Sequence, residues 1–158
     1  MEIQKTNKIF LGLLVCVLLA SCSGNRIYHD YAHISNSGWQ QDAPALFSVP
    51  VDDTTAVYNV IIDIRSRNEY PYQNLYLFAR LTTPDGKTVG DTLNCILTDN
   101  QGRWLGKGIG STSSLSIMYM PAVKFLKAGV YEFSIQHGMR EDVLEGINDI
   151  GLRVEKRK

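Results

Sequence analysis

The residue in this chain with the plainest chemistry is Cys22. It follows Leu19-Ala20-Ser21, and the stretch from Ile9 to Ala20 carries no charged or strongly polar side chain behind Lys5 and Lys8. A basic start, a short apolar core and small residues before a cut site make a secretory signal. The apolar run falls short of the roughly 20 residues that a membrane-spanning helix needs. Small residues directly before a cysteine match the bacterial lipobox, in which the sulfur takes diacylglycerol and the chain is cut just before it. The expected plan is a lipoprotein signal peptide over 1–21, a lipidated tether over 22–38 and a domain over 39–158. Each buried lipid CH₂ contributes about 0.8 kcal/mol, and more than one acyl chain makes such an anchor stable. An ordinary signal peptide with a chance cysteine is the plainer alternative.

Other chemistry is thinner. Three histidines are present, His29, His33 and His137, and no spacing among them matches a zinc site. His29 and His33 fall on the expected tether. His137 shares a face with Tyr131, Phe133 and Ile135, where a core or rim role is expected. Asp91 and Asp99 bracket one strand-like run and stand about 27 Å apart at ~3.4 Å per residue, too far for a glycosidase pair. Asp99 is expected to cap a turn with Asn100 and Gly102. Gly106-Lys107-Gly108 lacks P-loop spacing and a following helix, and no Gly-x-Ser-x-Gly elbow occurs. Cys16 leaves with the signal, so Cys95 stands alone between Leu93 and Leu97 and reads as a buried structural thiol. No catalytic set, metal site or cofactor is expected. Tyr70, Tyr72 and Trp104, with Trp39, could form an aromatic surface for protein or sugar, although packing of the rings is the plainer use.

The elements that must position these residues are strands. Val57 to Arg65 alternates, with Tyr58, Val60, Ile62 and Ile64 on one side, and Leu75, Leu77, Ala79 and Leu81 repeat the pattern. Leu46 to Val51 around Pro50 reads as an irregular first strand. Leu93 to Leu97, Leu115 to Met120, Val130 to His137 and Ile150 to Val154 follow. Thr83-Pro84-Asp85-Gly86 is a turn signal. Four glycines between Asp99 and Gly110 interrupt regular structure, and Met139 to Leu144 reads as one or two helical turns ended at Gly146. About seven short strands without a long amphipathic helix predict an all-β fold, a single antiparallel β-sandwich of jelly-roll or immunoglobulin type. With 16 Lys and Arg against 16 Asp and Glu, and no basic run before the C-terminal Lys156-Arg157-Lys158, nucleic acid is not an expected partner.

Several blocks in order carry a family resemblance. They include Trp39, Tyr58-Asn59-Val60 with Ile64-Arg65, Asn68 to Leu75, Asp91-Thr92-Leu93, and Asp99 to Gly110 around Trp104. Phe125, Gly129 to Phe133, His137 to Arg140 and Leu144 to Arg153 complete the set. Together they resemble GldH, the gliding-motility lipoproteins of the Bacteroidetes. The resemblance implies a non-enzymatic lipoprotein of the gliding and type IX secretion apparatus, with other envelope proteins as partners and with no catalytic residues to carry over. In that phylum an acidic cluster just after the lipidated cysteine goes with display at the cell surface. Here the first acidic residue is Asp30, which points to a periplasm-facing protein held to the membrane through Cys22. The competing function is a carbohydrate-binding envelope lipoprotein that uses exposed aromatic residues.

Overall fold

The computed structural model describes residues 25–157; the signal peptide and Cys22 lie outside the described residues. In chain order the strands are β1 (Arg26–His33), β2 (Trp39–Gln40), β3 (Ala45–Val51), β4 (Tyr58–Arg67), β5 (Asn74–Thr82), β6 (Thr88–Ile96), β7 (Lys107–Ile109), β8 (Thr112–Val123), β9 (Gly129–His137), β10 (Val143–Leu144) and β11 (Ile147–Lys156). One sheet has the order β1-β11-β4-β8-β7 and a second the order β3-β9-β5-β6, with a short β10-β2 ribbon beside them. Every neighbouring pair is antiparallel. The result is the open all-β sandwich expected from the alternating runs, with no closed barrel.

The core is what the period of two dictates. On β5, Leu75, Leu77, Ala79 and Leu81 are buried while Tyr76, Phe78 and Arg80 face outward. On β3, Ala45, Phe47, Val49 and Val51 point in and Pro50 points out. That strand is regular, contrary to the expected irregularity. Pro50 lies on an edge strand, where its missing N–H removes nothing the sheet requires. Cys95 pairs opposite Leu75 in the interior as a free thiol, and burial pushes it up to about 11.

The central strand β4 is covered on both faces. Val60, Ile62 and Ile64 fill the core, yet Ile61 and Asp63, on the opposite face, are buried too. Asp63 accepts Ser116 Oγ at 2.5 Å and Arg153 Nε at 3.2 Å, and His29 Nε2 lies 3.5 Å away. Tyr31 lays its ring against Gly151, where an added Cβ would come within 2.6 Å of it, and Arg65 sits 3.8 Å over the same ring. His29 and Tyr31 belong to β1, which corrects the expected boundary. Residues 26–33 are not tether but the first strand of the larger sheet, paired with β11 from Arg26↔Glu155 to His33↔Asp149. None of the eight is fully buried, so the apolar alternation that betrays a strand is missing.

The register fixes which ends meet. Arg26, Lys156, Tyr58 and Val123 lie at one end of the larger sheet. Val51, Gly129, Thr82 and Thr88 lie at one end of the smaller. The connections over 52–57 and 124–128 join these ends, so they form one end of the sandwich, the end at which the chain enters from Cys22. His33, Arg67, Thr112, Asn74, Ile96 and His137 mark the other.

Candidate interaction site

The far end is built where β4 stops and the chain crosses to β5. Arg67 N donates to Gly146 O at 2.8 Å and Tyr70 N to Arg67 O at 3.1 Å, closing the turn that starts the loop. Tyr70 is driven inward: it is buried, its hydroxyl donates to Asn74 O at 2.9 Å, and burial pushes that hydroxyl well above its ordinary range. Gly146, at φ +85°, lies so close to Tyr70 that a Cβ would stand 2.7 Å from the Tyr70 Cα. The Tyr72 ring meets Tyr70 edge-on at 5.7 Å between centroids, and Trp104 lies 6.3 Å away on another side. Trp104 is half-buried and bridges to Thr98. Beside it Gly106 passes so close to β8 that a Cβ would stand 2.3 Å from Ser114 O.

Tyr72 is half-buried, and its hydroxyl donates to Glu141 Oε1. That bond raises the Tyr72 hydroxyl and holds the Glu141 carboxyl below its ordinary range. Tyr72, Tyr76, Gly138, Met139, Arg140 and Glu141 line an open cleft of about 280 Å³. Its wall is pinned by Gly138 N donating to Tyr76 O at 2.7 Å and Tyr76 N to Met139 Sδ at 3.4 Å. A second, more polar cleft of about 480 Å³ lies across the loop, among Asn36, Arg67, Glu69, Pro71, Glu145 and Gly146.

The segment after β9 is not helical as expected. Residues 139–142 bend, and Val143–Leu144 pairs with Trp39–Gln40 as β10 against β2. Leu144 is buried, and Gln41 N donates to Asp142 O at 2.8 Å and Gln41 Nε2 to Met139 O at 3.2 Å. Main-chain partners on β2 claim groups that a helical turn would have used internally. Beneath the ribbon Trp39 is buried, its indole N–H donating to Ala43 O at 2.9 Å. His137 is wholly buried with its ring edge-on to Trp39 at 5.3 Å and Nε2 3.0 Å from Trp39 O. Nε2 must carry the proton to donate to a carbonyl, which leaves Nδ1 as a bare acceptor without a partner. Burial lowers the pKa of this imidazole.

The structure therefore separates the candidate rings. Trp39 and Tyr70 are interior; Tyr72 and Trp104 are partly exposed at the same end. Tyr76, 41% exposed, joins Tyr72 in the cleft and was missed by the sequence reading. Its signal was available: it sits out of phase with Leu75, Leu77 and Ala79, so it must face outward. An enzymatic role would need Asp91, Asp99, Glu132 or His137 gathered in one cleft, and they do not assemble. Asp99 caps its own turn, accepting Gln101 N and Arg103 N at 2.9 Å and Arg103 Nε at 2.7 Å. Glu132 accepts Ser48 Oγ on the outer face of the smaller sheet, and His137 is interior. Among the described residues no three His, Cys, Asp or Glu side chains gather as a metal site.

A family model described as GldH lipoprotein matches residues 26–154. The chain belongs to the GldH lipoprotein family. A "Gliding motility lipoprotein GldH homolog" of Christiangramia forsetii is 38% identical over 155 residues, 94% of each chain. The "Gliding motility lipoprotein GldH" of Flavobacterium johnsoniae is 34% identical, over 92% of this chain and 94% of the other. The GldH match begins at the first residue of β1 and so takes in the whole of that strand. A solved "EclA C-terminal domain; sugar-binding protein" aligns over 83% of this chain and 78% of that one at 12% identity. The TM-score of that alignment is 0.34.

Proposed function

We propose that this GldH-family chain is a lipid-anchored, non-catalytic interaction module of the gliding-motility and secretion machinery, held in the cell envelope through Cys22 and facing the periplasm. Its far end, with the Tyr72–Tyr76–Glu141 cleft, receives a protein partner. The relatives named as gliding-motility lipoproteins support the machine. The observation that carries the mode of action is the opposition of the two ends, since the chain enters at one end and the partly exposed aromatic residues lie at the other. The dispersal of Asp91, Asp99, Glu132 and His137 supports a binding role over a catalytic one. The absence of acidic residues between Cys22 and Asp30 supports the periplasmic face.

Two measurements test this. Cys22→Ala moves the protein out of the membrane fraction; retention there overturns the anchor. A photo-crosslinking residue at Tyr72 or Trp104 captures an envelope protein in living cells; recovery of the monomer alone overturns the partner. Capture of glycan at Tyr72 in place of protein would favour the carbohydrate reading, which keeps only Tyr72, Tyr76 and Trp104 once Trp39 and Tyr70 are buried. A deletion strain scored separately for spreading, secretion and viability then tells motility from a general envelope role.

A further inference from the structure

The tether is far shorter than the sequence suggested. Between Cys22 and Asn25 lie three peptide steps, about 10 Å of chain at full extension. Asn25 O already accepts Lys156 N at 2.7 Å. With a lipid on Cys22, the entry end of the sandwich cannot stand clear of the bilayer.

That end carries an unusual loop. Leu126 is 83% exposed, the most exposed large apolar side chain among the described residues. It is held out rather than left loose. Phe125 beside it is buried, its ring 5.3 Å from Tyr58 and 4.6 Å from Tyr131. Lys127 on the other side is pinned at both main-chain groups, its N donating to Tyr131 Oη at 3.2 Å and its O accepting from Tyr131 Oη at 2.9 Å. Leu126 is thus fixed between two anchored neighbours and flanked by Lys124 and Lys127. Behind the loop runs an apolar groove of about 220 Å³ whose walls include Leu81, Val123 and Phe125. The loops and strand ends here carry six cations, Arg26, Lys87, Lys124, Lys127, Lys156 and Arg157, against five carboxylates, Asp52, Asp53, Asp85, Glu132 and Glu155. Lys127 Nζ is paired with Asp85 at 2.8 Å and Lys156 Nζ with Asp53 at 2.8 Å, so the face is only slightly basic and Lys124, beside Leu126, has no ion pair among the described residues.

We infer that this end is a membrane-docking foot: Leu126 inserts into the headgroup region of a bilayer with anionic lipids while Lys124 reaches their phosphates and Lys127, held on Asp85 at 2.8 Å in the structure, exchanges that partner for a phosphate. An apolar residue between long cationic side chains suits that boundary, because the lysine stems lie along the lipid while their ammonium groups stay at its surface. The inference rests on the anchor at Cys22 proposed above. It adds that the lipid does not merely tether the domain but seats it in one orientation, far end outward.

The test uses the lipidated full-length protein in vesicles of phosphatidylethanolamine and phosphatidylglycerol. An environment-sensitive dye is placed at Leu126→Cys or, as a far-end control, at Gln101→Cys; Cys95 is buried and Cys22 acylated, so neither takes the dye. The expected result is that an aqueous quencher reaches the dye at 126 less well than that at 101, by about threefold or more, as insertion requires. Adding Lys124→Glu and Lys127→Glu removes the shielding while the protein stays on the vesicles. Equal quenching at both positions on bound protein overturns the foot and leaves the anchor standing. Shielding at 126 that persists without vesicles points to a protein contact and also overturns it. Protein that never partitions with the vesicles overturns the anchor and the foot together. Coincident near-ultraviolet spectra of the variants and the parent show that each is folded.

Discussion

At the scale of single residues, two positions define the far end. His137 is neutral and buried, and its folded pKa lies below the ordinary value near 6.5. Above that value neither state binds a proton at this site, and its stability contribution is complete. As pH falls below about 6.5 the unfolded chain takes up a proton that the folded chain refuses, so stability is lost toward the lowered folded pKa. The urea midpoint of the parent should therefore fall more steeply from pH 7.5 to 5 than that of His137→Gln, whose amide can still donate to Trp39 O. Equal slopes would show that the imidazole is not what titrates. Gly146 is the second position. Its positive φ and the Tyr70 backbone 2.7 Å from any added Cβ leave no room for a side chain. Gly146→Ala should cost about 2–4 kcal/mol by denaturant titration and displace the Tyr70 loop.

At the scale of elements, β1 is the instructive strand. Its contribution lies in covering the outer face of β4, and Asp63 is where that cover is tied down. Arg153 and Asp63 are mostly buried, with side-chain exposures of 19% and 10%. Asp63→Ala should therefore destabilise by about 2 kcal/mol, since Arg153 would keep only one carboxylate, Glu155, at 2.6 Å from Nη1, and Ser116 Oγ would lose its acceptor. Arg26→Ala, which removes an exposed pair to Glu155 at 3.8 Å, should stay within about 0.5 kcal/mol. The same strand shows where sequence reading stops. β5 and β9 were legible because they bury one face and so alternate, β4 because β-branched residues recur at every second position although both of its faces are covered, and Cys95 and Asp99 because their neighbours within a few residues decide their surroundings. β1 was not, because it buries no side chain completely and is held by partners as distant in sequence as Asp149 and Arg153. The 139–144 segment was misread as helical for a related reason: the main-chain groups of β2 that claim it lie about a hundred residues earlier. Of the candidate site, Tyr72 and Trp104 were found by type, but Tyr76 required asking which rings face away from the core.

At the scale of the whole molecule, the two sheets share one interior, and Tyr58, Phe125 and Tyr131 link them at the entry end. Far- and near-ultraviolet signals should therefore melt together in a single transition; separate transitions would mean that the sheets unfold independently. The strands themselves run between the two ends, and this sets a dimension. A ten-residue strand such as β4 spans about 30 Å. With the entry end seated on lipid, the Tyr72 cleft is carried at roughly that altitude above the headgroups. A partner that hugs the bilayer would pass underneath it, whereas one that projects about a strand's length into the aqueous space meets it at its own level. The sandwich then works as a spacer of fixed height, and strand length becomes a quantity that selection on partner geometry could act upon.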